Sequence, residues 1–161
     1  MYAEPMLLDN APTTEITVRK ATPSDLDCLA SLFDAYRQFY RQPSNQEGAK
    51  RFLFDRLRYN QSIIFIALQS NEAVGFTQLY PSFSSAAMAQ ILILNDLFVI
   101  PNMRKNCIGS ALLERAAEYA RQIGAARLVL STEISNRTAQ SLYEKLGWKR
   151  DLDFCVYTLA L

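Results

Sequence analysis

The stretch Ile91–Leu113, ILILNDLFVIPNMRKNCIGSALL, decides how this chain reads. Its first ten residues are apolar apart from Asn95 and Asp96, the composition of a buried strand. Pro101 ends that run. A short basic loop with Arg104 and Lys105 then delivers Gly109 and Ser110 to the start of a helix. The free amides of a helix N-terminus, beside cationic side chains, form an anion site. The segment therefore reads as strand, anion-binding loop and helix, with one polar spot in an otherwise dry sheet.

Working outward, Met1–Thr14 is expected to be a loosely held lead-in and residues 15–161 one domain. Glu15–Ala21 alternates like a strand. Thr22, Pro23 and Asp25 give a helix start, and apolar spacing from Leu26 to Tyr36 carries that helix to about Tyr40. Ser44 and Glu47 have capping-box spacing ahead of a second helix over Glu47–Tyr59. Ser62–Leu68 and Ala73–Tyr80 read as a hairpin, and Pro81–Ala87 as a loop of small residues. Met88–Ile100 is the long strand, and Gly109–Ile123 a helix with Leu112, Leu113, Ala116, Ala117 and Ala120 on one face, stopped by Gly124. A strand over Arg127–Thr132, a helix from Asn136 to Leu146 stopped by Gly147, and a closing strand over Phe154–Leu161 complete the order. The fold class is α/β: one mixed sheet with helices on both faces and a right-handed parallel crossover from Met88 to Thr132.

Composition narrows the chemistry. A net charge of +1 gives no field for nucleic acid or a membrane surface. No apolar run reaches the roughly 20 residues that span a bilayer, and the N-terminus lacks a secretory pattern, so the expected location is the cytoplasm. The chain has no histidine, which removes His bases, His-activated nucleophiles and His metal ligands. Cys28, Cys107 and Cys155 match no zinc spacing, and no metal is expected.

The common phosphate-loop fingerprints, G-x-x-x-x-G-K-[ST] and G-x-G-x-x-G, do not occur. Arg104-Lys105-Asn106-Cys107-Ile108-Gly109 instead resembles the Q/R-x-x-G-x-G/A loop of the GNAT superfamily of N-acetyltransferases, with Cys107 at the middle glycine. Val99-Ile100-Pro101-Asn102-Met103-Arg104 matches the end of that superfamily's signature strand. Asn136, Ala139, Tyr143, Gly147 and Trp148 match its N-x-x-A-x-x-x-Y-x-x-x-G-[FW] pattern. The resemblance covers residues 15–161. Leu79–Ser84 followed by Leu94–Val99 looks more narrowly like the small-amine branch, which includes spermidine/spermine, thialysine and fungal polyamine or histone acetyltransferases.

The resemblance implies a site. Arg104, Lys105, Asn106, Cys107, Ile108, Gly109 and Ser110 would wrap the pyrophosphate of acetyl-coenzyme A. Leu97, Phe98 and Val99 would hold its pantetheine arm, with Asn136 and Ala139 as further contacts. Tyr143 would be the general acid. Periodicity alone fits equally a boundary tyrosine that covers the core. Cys107 reads as a loop residue, since an acetyl-cysteine route needs an activating histidine.

Asn95 and Asp96 are adjacent strand residues and should face opposite sides unless a bulge re-aims them. Asp96 is the candidate to bind or deprotonate the acceptor, with a water as the alternative base. The small-amine branch carries Glu where Asn95 stands. Tyr36, Tyr40 and Tyr80 are candidates for the acceptor pocket through cation–π contact, or simply packing. The implied activity is direct acetyl transfer to a small primary amine, with a likeness-based expectation of a homodimer. A protein N-acetyltransferase and a non-catalytic acyl-coenzyme A module stay open as alternatives.

Overall fold

The computed structural model describes residues 15–161; the expected lead-in lies outside them. Five strands and four helices follow one another. They are β1 (Ile16–Lys20), α1 (Leu26–Phe39), α2 (Gln46–Arg58), β2 (Ile63–Gln69), β3 (Glu72–Ser84), β4 (Ala89–Val99), α3 (Ile108–Gln122), β5 (Leu128–Leu130) and α4 (Arg137–Lys145). The strands form one sheet in the order β1-β2-β3-β4-β5, antiparallel from β1 through β4. Ala126 N–H donates to Gln90 O and Leu92 N–H to Arg127 O, so partners advance together, as in a parallel pair. The sheet is mixed, as expected.

Alternation along β2 assigns the two faces. Ile64 and Ile66 join the apolar cluster that holds Leu29, Leu32 and Phe33 of α1 with Ala49 and Leu53 of α2. Phe65, between them, meets the Tyr119 ring of α3 at 5.6 Å. Adjacent strand residues point oppositely, so α1 and α2 cover one face and α3 the other. Ile108, Leu112, Leu113, Ala116 and Ala120 are the buried stripe of α3, with Ala117 half-buried beside it. Gly124 (φ 70°) and Gly147 (φ 84°) follow α3 and α4 in the left-handed conformation that stops a helix.

Asp34 locks the α1–α2 corner. It is fully buried and accepts hydrogen bonds from Asn45 N–H at 2.7 Å, Ser44 Oγ at 2.7 Å and Gln38 Nε2 at 3.0 Å. Ser44 is thus occupied. The α2 cap is Asn45, whose side chain accepts from Gly48 N–H, rather than the expected Ser44 box. The bond from Asn45 N–H, ahead of the other donors, holds the Asp34 carboxyl below the usual carboxylate range. Asp25, paired with Arg19 at 2.7 Å, is held low chiefly by that arginine. Both groups contribute stability that is complete above pH about 4 and is lost as pH falls through their folded-state values. Asp34→Ala leaves buried donors without a partner. It should cost about 3 kcal/mol, a fall in Tm of roughly 10 °C by calorimetry.

Three expectations change. Pro81–Ser84 belong to β3, which continues its ladder with β4 to Ser84↔Ala89, so the expected loop shrinks to a tight turn. The crossover strand is shorter than expected, Leu128–Leu130. The closing strand does not form: residues 151–161 have no regular structure, and Phe154, Val156, Tyr157 and Leu159 are exposed. Alternation supplies a strand's pattern, but a strand also needs a partner for its N–H and C=O groups, and this segment has none in the sheet.

The chain divides into two compact units, one ending at Val129 and the other Leu130–Leu161. The second consists of α4 and its flanks. Asn136 caps α4 by accepting from Ala139 N–H at 3.2 Å, and Trp148 N–H returns to Tyr143 O at 3.0 Å.

Candidate active site

The site in the first unit is built on an irregularity of the sheet. Gln78 pairs with Asp96, but Leu79 pairs with Leu94, so Asn95 is an extra residue bulged out of β4. The bulge separates the two polar residues. Asn95 is exposed, whereas Asp96 is only 3% exposed. Asn95 Nδ2 reaches back to Asp96 Oδ1 at 3.2 Å, while Oδ2 is buried without a hydrogen-bond partner. A buried carboxylate in that state is costly. Burial accordingly raises the Asp96 carboxyl above the usual range, against the smaller opposite pull of Tyr36 and Asn95.

Of the candidate rings, Tyr36 and Tyr80 lie near Asp96, and Tyr40 packs on Tyr36. Tyr36 of α1 donates to Asn95 O at 3.4 Å and stands edge-on to Tyr40 at 5.1 Å, to Phe76 at 6.0 Å and to Phe98 at 6.3 Å. Tyr80 lies on the same face as Gln78, two residues along β3. Its hydroxyl is pushed up to about 12 by burial and then by the Asp96 charge, with Arg56 opposing. It remains a neutral donor at any working pH. The sequence reading missed Gln78, Ser62 and Arg56. Gln78 Nε2 donates to Tyr80 Oη at 2.6 Å and to Ser62 Oγ at 3.1 Å. The polar pair Thr77-Gln78 within the apolar run of β3 was the available signal.

The basic loop takes an unusual backbone path. Lys105 (φ 68°) and Cys107 (φ 60°, ψ 5°) are both left-handed, and Cys107 is the residue from which α3 starts. No side chain caps that helix. Its first-turn amides at Ile108, Gly109 and Ser110 have no intrahelical acceptor, so alternating backbone and helix start form a concave set of N–H groups suited to phosphate. Lys105 is exposed, and Asn106 Nδ2 donates to Met103 O at 3.3 Å. The Arg104 side chain turns back: Nε donates to Val99 O at 3.1 Å, and its guanidinium lies over Phe39 and Phe98. Ile108 is buried and anchors the loop to the core.

A β-carbon in the left-handed region costs about 1 kcal/mol. Cys107→Gly is therefore expected to raise Tm by about 2 °C, part of the gain being offset by the freer unfolded chain. A fall in Tm would mean that the thiol side chain packs usefully.

The remaining candidates occupy β4 and the second unit. Phe98 is buried in the α1–α2 cluster, while Leu97 and Val99 are half-buried on the other face. Strand β5 has three residues against eleven in β4, so it can satisfy only part of β4's second edge. In the second unit Tyr143 is half-buried, with its ring 6.1 Å from that of Trp148. Among the described residues, no group of three or more His, Cys, Asp or Glu is arranged to hold a metal, and no helix is long and apolar enough to cross a membrane.

Comparison with known proteins agrees with this geometry. Residues 29–148 match the model of the acetyltransferase (GNAT) family. The chain is 49% identical over 144 residues to an uncharacterized N-acetyltransferase of Bacillus subtilis (strain 168), covering 89% of this chain and 97% of that one. It is 40% identical over 144 residues to the aminoalkylphosphonate N-acetyltransferase of Salmonella typhimurium (strain LT2), covering 88% and 89%. A crystal structure of a probable acetyltransferase superposes with a TM-score of 0.85 at 41% identity, covering 90% and 97%. A mixed sheet, an uncapped helix after a left-handed loop and a family match over most of the chain lead to one assignment: this chain belongs to the GNAT family and is an acetyl-coenzyme A-dependent N-acetyltransferase.

Proposed function

We propose that the acceptor is a small molecule with a primary amine, acetylated directly from acetyl-coenzyme A in a ternary complex. The observation that carries this reading is Asp96: a buried carboxylate with one oxygen free, bordered by tyrosine rings. An ammonium group suits both the free oxygen and the ring faces. The Salmonella relative's small amine substrate supports the same class.

The roles follow. The amides of Ile108, Gly109 and Ser110, with Lys105, Asn106 and Cys107, receive the pyrophosphate. The unspent edge of β4 at Leu97–Val99 aligns the pantetheine arm, and a backbone N–H there faces the charge that develops on the thioester oxygen. Arg104 braces this edge through Val99. By the family resemblance, Asn136 and Ala139 are further candidate cofactor contacts. Asp96 takes a proton from the ammonium, directly or through water, since an amine with a pKa of about 10 must lose one before it attacks. The nitrogen then bonds to the acetyl carbon, the carbon–sulfur bond breaks and Tyr143 protonates the departing thiolate; the second proton, lost from the new amide nitrogen, restores Tyr143 through water, and the first leaves Asp96 to solvent.

The decisive experiment is thiol release from acetyl-coenzyme A against small amines and basic peptides. Turnover of small amines alone supports the reading. Preference for peptides would instead assign a protein acceptor. Saturable acetyl-coenzyme A binding with no acetylated amine would leave only a binding module.

We also propose a homodimer. The exposed apolar Phe154, Val156, Tyr157 and Leu159 are suited to pairing with a second copy. Sedimentation of the full chain against a chain truncated after Lys149 tests it; a wild-type monomer overturns it. A cytoplasmic location completes the reading.

A further inference from the structure

The face that carries Asp96 holds a second charge. Arg56 of α2 sits beside Tyr80, and its guanidinium carbon lies 4.4 Å from the centroid of the Phe52 ring. Its Nε is buried without a hydrogen-bond partner, and it belongs to none of the ion pairs found among the described residues. Gln78 Oε1, bonded through its amide to Tyr80, is likewise buried and unpartnered. Three orphaned polar atoms, on Asp96, Gln78 and Arg56, thus border one tyrosine hydroxyl. Orphaned buried groups are rare in folded chains, and three on one face indicate a place that a polar ligand completes.

The order of the charges says what kind of ligand. Asp96 and Arg56 both bear on the Tyr80 hydroxyl, and no ion pair joins them among the described residues. The two charges therefore do not neutralise each other. A carboxylate and a guanidinium near one hydroxyl suit a molecule that is positive at one end and negative at the other. A diamine would set its second ammonium against Arg56, which like-charge repulsion disfavours. A plain alkylamine would leave the buried Nε of Arg56 without a partner.

We infer that Arg56 determines specificity, selecting amine acceptors that carry a carboxylate or phosphonate, with Tyr80 and Gln78 donating and accepting between the two ends. This rests on the proposal that the acceptor amine is received at Asp96. Arginine is suited to the task because its fork pairs with either oxyanion in two bonds.

The test uses the full chain and four acceptors of matched reach: ethylamine, ethylenediamine, β-alanine and aminoethylphosphonate. A charge-assisted bond of this kind corresponds to roughly 10- to 100-fold in affinity. The wild type should favour β-alanine or aminoethylphosphonate over ethylamine by at least that factor in kcat/KM, and disfavour ethylenediamine. In Arg56→Met, which keeps an unbranched apolar side chain and removes the charge, the preference should collapse to near unity, mainly through KM. Arg56→Lys should restore part of it for β-alanine. Equal losses on every acceptor, or a wild-type preference for ethylenediamine, would overturn the inference. If no amine is turned over, the transferase proposal itself fails. Thermal shift with aminoethylphosphonate then decides the inference alone: a saturable shift lost in Arg56→Met sustains it, and no shift in the wild type overturns it.

Discussion

Asp96→Asn should lower turnover of the amine acceptor by a factor of about 100 or more while making the protein more stable. The rate loss follows from removing the proposed proton acceptor; a positioned acid–base group contributes roughly 10²- to 10⁴-fold. The stability gain follows from the sign of its shift. Burial raises the folded-state value of Asp96. Such a group contributes stability that is complete below its unfolded value of about 3.9 and is lost as pH rises through the folded value. At neutral pH the buried carboxyl is therefore a burden, with one oxygen unpartnered. Asparagine keeps the shape and removes the charge. The expected signature is a higher Tm at pH 7 than wild type, with the difference closing in acid, alongside steady-state kinetics that show the loss. Unchanged kcat with a lowered Tm would make Asp96 a structural acid.

Tyr143→Phe is expected to reduce kcat by a similar factor through loss of the proton donor to the thiolate. Phenylalanine preserves the ring that meets Trp148 at 6.1 Å and leaves the Trp148 N–H bond to the main-chain oxygen of residue 143 intact. Folding and acetyl-coenzyme A affinity should therefore be unchanged, by calorimetry and by titration with coenzyme A. An undiminished rate across the pH range would remove Tyr143 from the acid role. The two substitutions also separate from one another. Asp96→Asn acts on the amine side, so it should steepen the dependence of rate on pH, whereas Tyr143→Phe acts on the leaving group.

Most elements were legible because their cues are local. Thr22 and Pro23 open a 3₁₀ turn, Pro23–Asp25, that leads into α1, left-handed glycines stop α3 and α4, and the period of apolar residues changes from two to near four between β4 and α3. The errors came where pattern is not enough. Ser44 has the spacing of a cap, but buried Asp34 recruits its hydroxyl and leaves the cap to Asn45. Phe154–Leu161 has the alternation of a strand without a neighbour to complete it.

The sequence by itself determined the kind of chemistry. Absence of histidine excluded several chemistries, and the basic loop before α3 and the spacing from Asn136 to Trp148 carry the resemblance to an acetyltransferase, since both motifs are properties of residues close in the chain. Only the tertiary structure decided which of its two polar strand residues is buried. Adjacent residues of a regular strand look to opposite sides, so nothing in the string Asn95-Asp96 tells which is buried. One extra residue in β4 turns Asp96 inward and Asn95 out. Arg56, on a helix 40 residues earlier, comes to stand beside Tyr80 because α2 packs over the sheet. A charge's partner across such a separation is set by packing, which no local pattern encodes.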